Sequence, residues 1–271
     1  MAAMLEFRTQ GYNPYAVKYS PYYDSRIAVA ASANFGIVGN GRVFALALTA
    51  QGVQVEKTFD TNDALYDLAW SEINENQLIV ACGDGSLKLF DLGIDDFPVM
   101  NFHEHKRETF SVCWNPITKD TFLSSSWDGT VKIWSPTRNH SIKTLPIGNC
   151  GVDRVLRTFD IRNPNGGPLS IMQGHEYAVR RLSWSPHSSD TLISASYDMT
   201  VRLWNDGSNQ QQAPAMGPTI GSQMGIMNRH TEFVTGVDWC LFGMGGWVAS
   251  VGWDERVLLW DANMLMGQRI P

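Results

Sequence analysis

Histidine, cysteine and carboxylate side chains are the groups through which this 271-residue chain could bind a metal, move protons or attack a substrate; it carries 6 His, 4 Cys and 27 Asp and Glu. Their spacing speaks against each use. Cys82, Cys113, Cys150 and Cys240 lie far apart with no CxxC pair, which excludes a zinc scaffold and a disulfide framework. Cys113 and Cys240 adjoin Trp114 and Trp239 in strand-like runs and read as buried, reduced thiols of a cytosolic protein. His103-Glu104-His105 comes nearest to a metal site, but His105 belongs to a recurring pattern, and recurrence points to structure. There is no GxSxG, no glycine-rich phosphate loop and nothing that places two carboxylates around a common cleft. The expectation is a protein that is not an enzyme and holds no metal or cofactor.

The pattern is an internal repeat. DTNDALYDLAW (60–70), EHKRETFSVCW (104–114), GHEYAVRRLSW (174–184) and RHTEFVTGVDW (229–239) each end in tryptophan, and His105, His175 and His230 precede the last three tryptophans by 9 residues. Asp84, Asp128, Asp198 and Asp254 follow those tryptophans by 14 or 15 residues, and an aromatic (Phe90, Trp134, Trp204, Trp260) comes 6 residues after each Asp. Each unit reads as four short antiparallel strands, with runs such as FSVCW, TFLSSSW and TVKIW broken by Asp-Gly turns at 84–85 and 128–129. One such sheet cannot bury both faces alone, so the sheets must stack around an axis. His, Asp, Trp and a strand serine (Ser124, Ser194, Ser250) can then share a buried hydrogen-bond network, because buried polar atoms need partners.

These spacings resemble the WD-repeat β-propeller family over nearly the whole chain: all-β, one propeller domain over 1–271. A divergent first unit fits 15–32 and 41–48, with Tyr19 in the tryptophan's place. Residues 205–228, a polar segment rich in Gln, Pro, Gly and Met, read as a flexible insertion plus an outer strand. Around GVDRVLRTFDIR (151–162) the count breaks, because Trp134 to Phe159 is only 25 residues where repeats of this kind run to about 44. The chain therefore holds five full blades and about half of another, whereas the resemblance implies seven. About one and a half repeats, roughly 63 residues, are missing near Cys150–Gly151.

Composition narrows the partners. Aromatic residues make up 11%, which excludes disorder, and the net charge of −6 excludes wholesale nucleic-acid binding and suits a partner that brings positive charge. No apolar run approaches the roughly 18 residues of a membrane span, and MAAMLEFRTQ lacks the layout of a secretory leader. In a propeller the loops before the innermost strands and the turns between second and third strands share one face. That register places Asp63, Glu108, Glu176 and Glu232 there, with Trp127, Tyr197 and Trp253 just before the turn aspartates. Carboxylates interleaved with rings suit a basic, amphipathic peptide. The bland alternative is that surface loops are commonly acidic and that the rings pack between neighbouring sheets.

Several stretches go beyond the generic repeat, among them GYNPYAVKYSP (11–21), TNDALYDLAWSEINENQL (61–78), GVDRVLRTFDIRNP (151–164) and HTEFVTGVDWCLFG (230–243). They resemble the peroxin 7 family, the receptors for the type 2 peroxisomal targeting signal. The resemblance implies a non-enzymatic import receptor that binds cargo in the cytosol through an N-terminal signal with a basic first position and apolar positions. It also implies a peroxin co-receptor, peroxisomal docking proteins and cycling between cytoplasm and peroxisome. A rival reading is a WD-repeat substrate receptor of a cullin-type ubiquitin ligase, because Phe159-Asp160-Ile161-Arg162 looks like the motif with which such receptors dock their adaptor.

Overall fold

The protein is described by a computed structural model over residues 4–36, 39–94, 97–146, 154–159, 167–207, 217–243 and 245–265. Runs of β-branched, aromatic and small residues cut by turns every few positions leave no room for an α-helix, and among these residues there is none. The strands form six sheets. Sheet I is Asn13–Tyr19, Arg26–Ser32, Gly41–Thr49 and Gly52–Thr61; sheet II is Leu65–Trp70, Gln77–Cys82, Ser86–Asp91 and Met100–His103. Sheet III is Thr109–Trp114, Phe122–Ser126, Thr130–Trp134 and Lys143–Pro146. Sheet V is Val179–Trp184, Thr191–Ser196, Val201–Asn205 and Ser222–Met227. Sheet VI is Val234–Trp239, Trp247–Gly252 and Arg256–Asp261, and its fourth strand is Leu5–Arg8 from the other end of the chain, paired Leu5 to Leu259. This is the radial architecture of a WD-repeat β-propeller.

Sheet IV is incomplete. It has only Leu156–Thr158 and Ser170–Met172, antiparallel, with Thr219–Ile220 lying parallel on the outer edge. Its Leu156 and Met172 pack on Leu192 and Trp204 of sheet V, as the outer half of a blade would. The two inner strands are absent among the described residues, as the repeat arithmetic requires. Residues 147–153, which hold the Cys150–Gly151 junction and Asp153, and residues 208–216 of the insertion lie outside the described residues.

The innermost strands pack on one another: sheet I against II and VI, II against III, and V against VI. Indole N–H groups tie them, with Trp70 donating to the Lys18 carbonyl at 3.1 Å and Trp239 to the Ser183 carbonyl at 3.1 Å. Trp184 of sheet V would need sheet IV's missing inner strand as its acceptor, and it is left 48% exposed. Leu182, Leu123 and Cys113 are exposed on the same open sector. Cys113 thus corrects the expectation of a buried thiol: its strand is sound, but the inner strands that would cover it are absent among the described residues. Cys82 and Cys240 are buried, and burial pushes the Cys82 thiol up to about 11. Across the axis, Arg181 of sheet V donates through Nη1 to Asp67 of sheet II at 3.0 Å and lies as an ion pair with Nη2 2.9 Å from the other carboxylate oxygen, while Ser111 of sheet III donates to the same carboxylate at 2.8 Å.

The expected polar networks are present in sheets III, V and VI. The imidazoles of His105, His175 and His230 meet Asp128, Asp198 and Asp254 through Nδ1 at 2.9, 2.7 and 3.0 Å. Their Nε2 atoms meet Ser124, Ser194 and Ser250 at 2.7, 2.5 and 2.9 Å. Those serines in turn accept from Trp134, Trp204 and Trp260 at 2.8, 2.8 and 3.1 Å. Each network fastens the loop before an inner strand to the turn between the second and third strands.

Truncating a member leaves the rest buried and unsatisfied, so His175→Ala lowers the unfolding free energy by about 2–3 kcal/mol in urea titrations. The networks also set acid sensitivity. Burial raises the Asp128 carboxyl, but hydrogen bonds from Thr130, His105 and the Lys106 N–H outweigh it and hold the group well below the ordinary range. Burial lowers His105 against the opposing pull of Asp128. Both folded groups resist protonation more than their unfolded counterparts, so their stabilisation is whole above roughly pH 6.5, erodes as His105 is titrated, and erodes again below about pH 4. Unfolding measured against pH shows both declines, and Asp128→Asn lessens the lower one, Asp198 and Asp254 retaining the rest.

Candidate peptide-binding face

Backbone hydrogen bonds decide which loop residues are equivalent. The N–H groups of Gly83, Trp127, Tyr197 and Trp253 donate to the carbonyls of Ala64, Glu108, Ala178 and Phe233 at 2.8 to 3.1 Å. The N–H groups of Lys106, Glu176 and Thr231 donate to the three turn aspartates. The turns of sheets V and VI depart from Asp-Gly: Met199 and Glu255 adopt left-handed φ of 66° and 60°, at a cost on the order of 1 kcal/mol each. Those two turns present Tyr197 and Trp253.

All three rings expected from the sequence lie at the same end as the histidine loops, and they belong to a longer series of which Trp127 and Tyr197 are the two ends and Trp253 an inner member. Trp127 contacts Phe110 (centroids 4.4 Å apart), Phe110 stacks on Tyr66 (4.5 Å), and Tyr66 meets Tyr15 edge-on (5.3 Å). Tyr15 meets Trp253 (5.8 Å), Trp253 meets Phe233 (5.3 Å), and Phe233 meets Tyr197 (4.8 Å). Seven rings therefore run without a break from sheet III through II, I and VI to V. Trp127 is 61% exposed, and Tyr197 and Trp253 are half-buried against each other's sheet. Tyr15, Tyr66 and Phe110 were not singled out from the sequence, although a signal existed: each stands 4 residues before the residue ending its inner strand (Tyr19, Trp70, Trp114). The same offset in sheet V gives Arg180.

The four carboxylates do not share one register position. Asp63 and Glu232 stand 7 residues before their tryptophans, Glu108 stands 6 and Glu176 stands 8. Asp63 and Glu108 are half-buried, and both negative charges bear on Tyr66, whose phenol burial and these acids hold above its ordinary pKa. Glu176 and Glu232 are exposed on the loops before the inner strands of sheets V and VI. Arg107 lies 5.5 Å from the Trp127 ring and 3.6 Å from Glu108, so a cation already rests where ring and acid meet. His103-Glu104-His105 is otherwise engaged: Glu104 holds Lys132 and Ser141, and His105 belongs to its network.

The WD domain, G-beta repeat family matches residues 97–135, 166–205 and 221–261. The Peroxisomal targeting signal 2 receptor of Saccharomyces cerevisiae is 34% identical over 372 positions, spanning 95% of this chain and 99% of that protein. The chain belongs to the peroxisomal targeting signal 2 receptor family. Family members of the same name in Schizosaccharomyces pombe (32% identical, 96% and 100% covered) and the Arabidopsis thaliana Peroxisome biogenesis protein 7 (34%, 93% and 96%) agree. The Schizosaccharomyces pombe alignment runs over 319 positions, of which 96% of this chain's 271 residues can fill about 260. Roughly 60 positions of that family member thus face a gap here, in keeping with the missing inner strands and repeat.

Phe110 is the keystone of the series at its sheet III end. Phe110→Ala unstacks Tyr66 and frees Trp127, lowering stability by about 1–2 kcal/mol in urea titrations and red-shifting tryptophan emission.

Proposed function

We propose that this chain is an import receptor for the type 2 peroxisomal targeting signal, binding the signal of cargo proteins in the cytosol and delivering them to the peroxisome with a peroxin co-receptor and docking proteins at its membrane. The observation that carries the reading is the unbroken arc of rings with Asp63 and Glu108 at its sheet II and III end, in a chain whose relatives are named for that signal. A basic amphipathic peptide fits such a face: the acids take its cation and the rings take its aliphatic stems and apolar side chains. Asp63, Glu108, Glu176 and Glu232 act as the acidic partners; Trp127, Tyr197 and Trp253, now joined by Tyr15, Tyr66, Phe110 and Phe233, act as apolar anchors. The role is one of binding, without catalysis. Among the described residues no helix is long and apolar enough to cross a membrane, which suits a receptor that docks and cycles. The ubiquitin-ligase reading finds no observation in its favour, since Asp160, Ile161 and Arg162 of its motif lie outside the described residues.

The test is binding of a synthetic type 2 signal peptide and of a copy whose first basic residue is alanine. The first binds and the second loses at least about tenfold in affinity, and Glu108→Lys or Glu176→Lys weakens the first peptide by as much while thermal unfolding stays near the parent's. Unaltered affinity in both variants removes the proposed face.

A further inference from the structure

Arg107 is an exposed cation on a firmly held stretch of backbone. His105 is fixed by its network, Lys106 donates its N–H to Asp128 at 3.1 Å, and the Glu108 carbonyl accepts the Trp127 N–H at 3.1 Å. The Arg107 carbonyl itself accepts from the Ser126 hydroxyl at 3.0 Å, and the buried Thr109 donates its hydroxyl to the Gly85 carbonyl at 3.1 Å. Gly85 of sheet II, at φ 86°, closes on this stretch so tightly that a Cβ there would stand 2.8 Å from the Arg107 carbonyl oxygen. With the backbone held at each residue from His105 to Thr109, any movement here falls to the Arg107 side chain.

That side chain rests where the peptide reading puts a ligand's cation. Its guanidinium carbon lies 5.5 Å from the Trp127 ring centroid, and its Nε lies 3.6 Å from the Glu108 carboxylate. Both contacts are of the exposed, solvent-screened kind and are readily exchanged. The fold does not call for an arginine at this position. The strand serine that meets the Arg107 carbonyl has its counterpart in Ser196, which meets the Tyr177 carbonyl in sheet V at 3.1 Å. The same offset of 2 residues after the histidine gives Glu232 in sheet VI. Glu108 and Trp127, by contrast, are joined through backbone and keep their places whether or not a cation lies between them.

We infer that Arg107 is a tethered competitor: in the free receptor it holds the place between the Trp127 ring and the Glu108 carboxylate that the peptide's basic residue takes, and it swings into solvent when that residue enters. The inference rests on the peptide-receptor reading above. One cation replaces another, so acid and ring are occupied in both states. A peptide with a basic residue gains only the difference between its own contacts and those of Arg107. A peptide without one leaves Arg107 in place and gains nothing there. Affinity for the signal is thereby held down, and because such differences fall mostly on dissociation, the competitor shortens the life of the complex.

Fluorescence anisotropy with the full chain compares two labelled peptides, the type 2 signal peptide and its copy with alanine for the first basic residue. Three receptors are used: unmodified, Arg107→Gln and Lys106→Gln. The last removes an exposed charge next door and keeps the backbone N–H that meets Asp128. Arg107→Gln binds the signal peptide about threefold to tenfold tighter than the unmodified receptor, the scale of one exposed ion pair and one cation–ring contact together, and binds the alanine copy unchanged. Lys106→Gln shifts either peptide by less than about twofold. Thermal unfolding near the parent's shows that both variants fold. Equal or weaker binding of the signal peptide by Arg107→Gln, an equal gain for the alanine copy, or an equal gain on Lys106→Gln overturns the inference and leaves the receptor reading intact. Failure of the unmodified receptor to tell the two peptides apart overturns both.

Discussion

An imidazole with both nitrogens inside a protein must be met on both sides, and that requirement organises this molecule. His105, His175 and His230 each satisfy it by reaching an aspartate on a neighbouring turn and a serine on the second strand. The serine passes the constraint on to a buried tryptophan of the third strand. Loop, turn and core of a sheet thereby move as one. Because the aspartate sits one residue beyond Trp127, Tyr197 or Trp253, the bonds that hold the histidine also aim the ring. The proposed face is thus a by-product of fold maintenance: the same short segment closes the network and presents the ring. Sheet II lacks the histidine, its Asp84 being occupied by Ser86 and Lys88; the residue before that aspartate is Gly83, and sheet II's ring comes instead from Tyr66 on the inner strand.

The loss of two inner strands from sheet IV shows what else holds a propeller together. Where sheets III and V have no inner strands of sheet IV between them among the described residues, apolar side chains meet solvent, and polar chemistry spans the interval. The Arg181 fork on Asp67, supported by Ser111 and the Val112 N–H, links sheets V, II and III around one carboxylate that is itself buried. A charge pair so placed has little solvent to compete with it.

Much of this was legible in the sequence because the fold is periodic. Spacings of 9, 14 and 6 residues named the histidines, aspartates and third-strand aromatics correctly, and a shortfall in one interval located the incomplete sheet. What periodicity could not supply were pairings between units. Arg181 and Asp67 are separated by 114 residues and by different sheets, and no pattern within a repeat points one at the other. The exposure of Cys113 is of the same kind: its strand reads like the others, and only the absence of a neighbour changes its surroundings. Four of the seven rings were hidden for a different reason. Rings at the turns are conspicuous, whereas Tyr15, Tyr66 and Phe110 lie in strands and Phe233 stands just before one, where an aromatic looks like core. The carboxylates were read as one per unit, but loops differ by a residue in their path, so equal counts did not give equal positions.

The strand Leu5–Arg8 completes sheet VI by lying along Arg256–Asp261. Segments some 250 residues apart must find each other, so Leu5–Arg8 has no partner strand until Val234–Asp261 has been made. During synthesis that strand waits with its backbone donors unspent while the intervening sheets assemble. Completion of sheet VI is therefore a late, long-range event, and both segments must be free of other engagements when they meet.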